Sequence, residues 1–249
     1  MKFTDRLTVR FASMLASTPQ GRAHILNLAS DAEGSDEGRI FDAIEGLVTD
    51  DALKKVVQRH RDDELRHQKL FGDAAIRNGG TLHPAPPELR LLDRIDARTG
   101  GFLSKPITTE RDAAMAYLVL LVIEERALNQ FALLEQAFRP IDPESADVFV
   151  QISKDEARHL RYCHAVAKKY LPDDAQREAE IVRLRNLEAE AFRENQEAMM
   201  RYAFEHNLVP GGFTQAIWGF LGSVGRTIGG LPFTRFASEP LPALAPTGA

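Results

Sequence analysis

A chain of 249 residues, 44 % hydrophobic and 27 % charged, has the length and composition of a globular protein with a substantial core. Its formal net charge of −5 argues against non-specific nucleic-acid binding. Its single cysteine, Cys163, excludes an intramolecular disulfide and a Cys-x-x-Cys electron-transfer site, and fits a reducing, cytoplasmic setting.

Met1–Ser17 carries Asp5 and Arg10 among its apolar residues and makes a poor secretory signal. Phe3, Leu7, Phe11, Met14 and Leu15 recur at helical spacing instead, predicting a short amphipathic helix over residues 1–20 that closes near Pro19. One long helix is expected from Gly21 to Val48, with Leu26, Ala29, Glu33, Ile40, Ile44 and Leu47 along one stripe. Glu33 therefore points where the apolar side chains point. Gly34 and Gly38 each cost about 1 kcal/mol against Ala in a helix, which suggests close packing or a cavity beside it.

Thr49-Asp50-Asp51 caps the next helix, which should stop at Asn78-Gly79-Gly80. Its inward stripe is Leu53, Val57, His60, Glu64, His67 and Phe71. A proline-rich connection follows, with a short helix over Leu89–Ala97 and a loop at Gly100-Gly101. Thr108-Thr109-Glu110 opens a third long helix, ending before Pro140, with Tyr117, Leu120, Leu121, Glu124, Leu128 and Phe131 inward. Its apolar run from Ala113 to Ile123 is too short to span a bilayer, so no transmembrane segment is expected. Pro143-Glu144 starts a fourth helix that stops at Leu171-Pro172, with Val148, Ile152, Glu156, His159 and Cys163 inward. A further helix covers 172–208, and 209–249 form an apolar tail rich in Gly and Pro. No alternating β pattern occurs, so the fold class is all-α.

Two stretches carry the chemistry: Asp63-Glu64-Leu65-Arg66-His67 and Asp155-Glu156-Ala157-Arg158-His159. Residues i and i+3 lie about 60° apart on a helix, so each Glu and His can reach one point. Glu33 precedes Glu64 by 31 residues and Glu124 precedes Glu156 by 32, so one ligand-bearing hairpin is used twice. Four carboxylates can neutralise two divalent cations, and two imidazoles complete a donor set suited to iron or manganese. A Glu from each of two helices plus Glu-x-x-His from the other two is the ligand pattern of ferritin-like two-metal bundles. The metal ligands assigned are Glu33, Glu64, His67, Glu124, Glu156 and His159, with Glu37 and Glu125 as competitors for the lone glutamates. Asp63 would hold the far nitrogen of His159, and Asp155 that of His67. Burying Glu33 or Glu124 as an unpaired charge would cost several kcal/mol, a difficulty that coordination removes.

These residues resemble the ferritin-like di-iron carboxylate superfamily over about Gly21 to Leu171, which implies an antiparallel four-helix bundle over 21–171 with additional N- and C-terminal helices. Ile123-Glu124-Glu125-Arg126, Phe131-Ala132-Leu133-Leu134 and Lys154 to His159 are more loosely similar to the tRNA methylthio-isopentenyl-adenosine hydroxylase family. The resemblance implies two iron ions (manganese as the alternative), dioxygen activation, electrons from a separate reductase, and oxidation of an organic substrate. A modified tRNA nucleoside is one candidate.

Weaker signals stay open. Tyr117 could be a radical or substrate-contacting tyrosine, or core packing. Cys163 and His60 read as core or ligand-supporting residues, and Arg90, Arg94 and Arg98 as a phosphate contact or a solvated face. The tail segment Phe213–Leu221 could cap the bundle, form a homodimer interface or touch a membrane, and its low cationic content favours the first two. Competing functions are iron storage, dimanganese peroxide disproportionation, and a structural bundle without metal.

Overall fold

The computed structural model describes residues 3–34, 37–211 and 216, and among them contains eight α-helices, one 3-10 turn and no strand. The helices are α1 (Phe3–Ala16), α2 (Pro19–Gly34), α3 (Glu37–Leu47), α4 (Asp51–Arg77), α5 (Leu91–Arg98), α6 (Glu110–Phe138), α7 (Pro143–Tyr170) and α8 (Asp174–Glu205). The 3-10 turn, Pro87–Leu89, precedes α5. The start signals act through side chains that satisfy otherwise unpaired amides. Asp50 accepts from the amides of Ala52 and Leu53, and Asp142 from that of Ser145. Thr109 and Asp112 form a reciprocal capping box at α6. Beyond α4, Gly79 adopts φ of 82°, a left-handed turn that glycine makes without penalty.

One expectation is corrected. The helix expected from Gly21 to Val48 begins at Pro19 and is two helices, α2 and α3. The first ends at Gly34, where a Cβ would lie 1.9 Å from the Nε2 of Gln68 on α4, so the close approach inferred for this glycine is present. Both helices still follow α4 in one direction: Ser30 bonds the Gln68 carbonyl, Asp42 pairs with Arg61, and Glu45 with Gln58.

Two antiparallel pairs make the centre. On α2 and α4, Arg22 meets Asn78 while Glu33 meets His67. On α6 and α7, Phe138 meets Phe149 while Glu124 meets His159. The pairs join through α4 and α7, also antiparallel, from Arg77 against Ser145 to Asp63 against Arg158. The core divides into two apolar clusters along the helix axes. One holds Ile40, Ile44, Val57, Tyr117, Leu120 and Val166. The other holds Phe11, Leu26, Phe71, Phe131, Phe149 and Ile152. A charged layer lies between them, at residues 60–67 of α4, 124 of α6 and 156–159 of α7.

The added helices widen the core. α1 packs on α6 and α2, and α8 docks on α6. At that contact Arg126 donates two hydrogen bonds to Glu188, both 2.8 Å, and Arg185 donates two to Glu125, at 2.8 and 2.6 Å. The Arg126 guanidinium also covers the Phe192 ring, 4.2 Å from its centroid. These crossed pairs make the inward side of α8 charged as well as apolar. Among the described residues no helix is long and apolar enough to cross a membrane. Phe213–Leu221, with its three suggested roles, lies outside the described residues except Ala216.

Candidate metal centre

The charged layer brings together all six residues assigned as ligands, and adds a seventh. Two groups have donor atoms within 4.8 Å of one another: Glu33, Glu64, His67 and Glu156; and His60, Glu64, Glu124 and His159. Glu64 belongs to both. Helical spacing explains the convergence, since His60, Glu64 and His67 occupy one stripe of α4, and Glu156 and His159 the equivalent stripe of α7. Around His159, Nδ1 lies 3.0 Å from Glu64, 3.5 Å from Glu124 and 2.9 Å from Glu156. Around His67, Nδ1 lies 3.4 Å from Glu33, 3.3 Å from Glu64 and 3.2 Å from Glu156. Both imidazoles are fully buried.

The far nitrogens face outward to the two aspartates. His159 Nε2 is 3.3 Å from Asp63 and His67 Nε2 is 3.4 Å from Asp155, the crossed pairing expected from the repeat. Two arginines, unremarked in the sequence reading, close the ring. Arg66 donates to Asp63 at 2.7 Å and Asp155 at 2.8 Å, while Arg158 pairs with the same two at 2.6 and 2.8 Å. They occupy the same place in both motifs, so the duplication extends to this outer ring. An Asp that accepts from Nε2–H leaves the Nδ1 lone pair directed at the cluster, the tautomer a metal ligand needs.

Burial resists ionisation of Asp63, but hydrogen bonds from Arg66, Arg158 and His159 outweigh it and hold the carboxyl at about 2. Asp155 is lowered by the same balance. Inside the ring the carboxylates divide. Burial and the neighbouring Glu64 raise Glu33 well above the usual range, and burial with the Glu124 charge raises Glu156 to about 8. Burial opposes charge on Glu64 and Glu124 too. Close contacts with His159, His60 and His67 nevertheless bring Glu64 well below the usual range, and those with Glu156, His159 and His60 bring Glu124 to about 2. His67, which burial alone would deprotonate, is held up to about 12 by Glu156, Glu33 and Glu64. Without cations the cluster must therefore store protons that coordination would release.

The donor set fits divalent metal. Glu64 Oε1 and Glu156 Oε1 are buried and make no hydrogen bond, although imidazole nitrogens stand 3.0–3.2 Å away in poor alignment. Donors about 3 Å apart suit an octahedral shell with bonds of about 2.1 Å. All are oxygen or imidazole nitrogen, donors that suit a divalent cation without a need for thiolate.

The repeat is not perfect here. His60 precedes Glu64 by four residues, and the equivalent position before Glu156 is Ile152. His60 Nε2 lies 3.0 Å from Glu124 and 3.2 Å from Glu64, so this histidine, read from sequence as a supporting residue, stands within the cluster. The other candidates fall elsewhere. Glu125 turns to Arg185, about one helical step from the cluster. Glu37 begins α3, and its side chain is outside what the structure describes. Tyr117 is fully buried beyond His60, with ring centroids 6.0 Å apart, its hydroxyl is unpartnered, and burial raises its pKa. Cys163 sits in the first apolar cluster. Arg94 and Arg98 pair with Glu194 of α8, and Arg90 donates to the Ala85 carbonyl, which makes this face a clasp between α5 and α8.

A cavity of about 280 Å³ reaches the cluster, with Glu33, Glu64 and Glu124 in its wall. The rest of the wall comes from α1, α2, α6, α8 and the segment 85–92, and it is largely apolar. Tyr117 is not part of it. Sequence periodicity had no means of locating a space enclosed by six separate stretches, α4 included through Glu64. The chain matches no protein-family model, no curated protein and no solved structure.

Proposed function

We propose that this chain is a ferritin-like two-metal oxidoreductase that activates dioxygen to oxidise an organic substrate. The observation that carries the proposal is the pair of His/Glu groups joined through Glu64 beside an apolar cavity. Glu33, Glu64, His67 and Glu156 would hold one metal, and His60, Glu64, Glu124 and His159 the other. Two reduced iron ions bound there would supply electrons to dioxygen, with a separate reductase restoring them; manganese is the alternative metal.

The chain's own residues supply orientation and shielding. Asp63 and Asp155 hold Nε2–H of His159 and His67, keeping each Nδ1 toward the cluster. The arginine–aspartate ring fixes those aspartates, so small displacements of the imidazoles are resisted. Phe71, Phe131 and Phe149, packed with centroids 5.4–5.8 Å apart, seal one side of the charged layer against water. Water exclusion strengthens each electrostatic contact within the layer. The cavity favours substrate oxidation over iron storage, which needs no apolar chamber at the metal ligands.

The test is oxygen uptake by anaerobically iron-loaded, chemically reduced protein, with Glu64→Gln as the comparison. Uptake that depends on Glu64 supports the proposal. No uptake with iron, together with peroxide disproportionation by manganese-loaded protein, would overturn it in favour of the dimanganese reading.

A further inference from the structure

The cavity has a chemical character of its own. Its wall includes Phe11 and Leu15 of α1, Ala29 of α2, Phe131 of α6, and Phe192 and Met199 of α8. Cationic groups at its edge are already engaged: Arg126 is bound bidentately by Glu188, and Arg90 donates to the Ala85 carbonyl. Asp31 accepts from the Ala85 amide. At the cluster, two divalent cations would cancel four carboxylates, so that end attracts no net charge either. The wall is also firmly held. Asn27 binds both the amide and the carbonyl of His83, and Arg94 and Arg98 tie α5 to Glu194.

Away from the charged cluster, one buried polar atom of the wall has no hydrogen-bond partner among the described residues. Asn195 of α8 lines the cavity and is only 7 % exposed, yet its Oδ1 has no hydrogen-bond partner. A buried amide oxygen left unpaired costs free energy that a ligand donor would recover. No described residue fills that role.

We infer that the cavity binds an uncharged, mainly apolar organic molecule carrying one hydroxyl or N–H group, which donates to Asn195. This rests on the proposed function in that the bound molecule would be the substrate of the metal centre. It also narrows that function: among the described residues the wall's arginines, Arg90 and Arg126, are already hydrogen-bonded within the protein, which disfavours a phosphate-bearing nucleoside of tRNA, whereas an alcohol, phenol or amide would match both the apolar wall and the Asn195 acceptor.

Three probes of equal chain length separate these cases: 1-octanol, octanoate and octyl phosphate, each titrated calorimetrically into the full-length protein with metal content measured on the same sample. The expected result is one octanol per chain, with octanoate and octyl phosphate at least tenfold weaker because each buries an unpaired charge. Asn195→Leu, close in volume, should weaken octanol about fivefold by removing one hydrogen bond. Ala127→Phe, which fills the chamber, should abolish octanol binding while circular dichroism stays unchanged. Octyl phosphate or octanoate binding as tightly as octanol would overturn the inference, as would octanol affinity indifferent to both variants. Octanol binding that depends on Asn195 in a protein without metal would leave this inference standing and sink the metal-centre reading. Two metals per chain with no octanol binding would do the reverse.

Discussion

Replacing Asp63 by Asn probes the outer ring without touching a ligand. Asp63 receives His159 Nε2, Arg66 and Arg158, while Asp155 receives His67 Nε2 and the same two arginines. Loss of a carboxylate behind a ligating imidazole typically costs 10- to 100-fold in metal affinity, or about 1.4–2.7 kcal/mol. The geometry assigns the loss to one position. Asp63→Asn should weaken the group containing His159, and Asp155→Asn the group containing His67. Because both arginines bridge both aspartates, the double variant should depart from additivity by about 0.5 kcal/mol or more. Anaerobic competition between the protein and an iron(II) chelator would resolve the two positions. Asp73→Asn, at an exposed pair with Lys69, is the control. Both ring variants matching the control within twofold would refute the positioning role.

Three further outcomes follow from other parts of the molecule. His60→Leu should reduce bound metal from about two per chain toward one, measured by elemental analysis, because one group loses an imidazole and the other does not. Arg126→Met leaves Glu188 buried without its partner and should cost about 3–5 kcal/mol in urea unfolding, whereas Arg126→Met with Glu188→Leu should recover most of the loss. His24, stacked on Tyr202 with centroids 5.0 Å apart, is held neutral mainly by burial, down to about 4, and its Nε2 is unpartnered. A histidine with a lowered folded pKa contributes stability above about 6.5 that is lost as pH falls toward about 4. His24→Phe should therefore be stabilising at pH 5 by about 2 kcal/mol and close to neutral at pH 8, as read by denaturant titration at the two values.

Helix spacing carried the site further than it carried the fold. Glu33, Glu64, His67, Glu124, Glu156 and His159 could be aligned because a three-residue step and a repeated interval of 31 or 32 residues are local quantities. The crossed pairing of Asp63 and Asp155 followed from the same symmetry. His60 was harder to read, since it breaks the repeat: its counterpart is Ile152, and a lone inward histidine has no spacing signature. The close approach of Gly34 to Gln68 joins two helices, and spacing along either one does not encode it. The Glu125–Arg185 and Arg126–Glu188 pairs join residues about 60 positions apart on elements whose mutual placement no local pattern encodes. In sequence, Arg185 and Glu188 look like the solvated face of a charged helix. Their docking against α6 makes them core residues and contributes one side of the cavity.

The most direct test of the central claim is metal content after expression in iron-supplemented medium and purification without chelators. The account predicts about two metal ions per chain, loss of both in Glu64→Gln because Glu64 belongs to both groups, and a lower unfolding temperature after chelation. A protein that carries no metal, and whose unfolding temperature is unchanged by chelator, would contradict it.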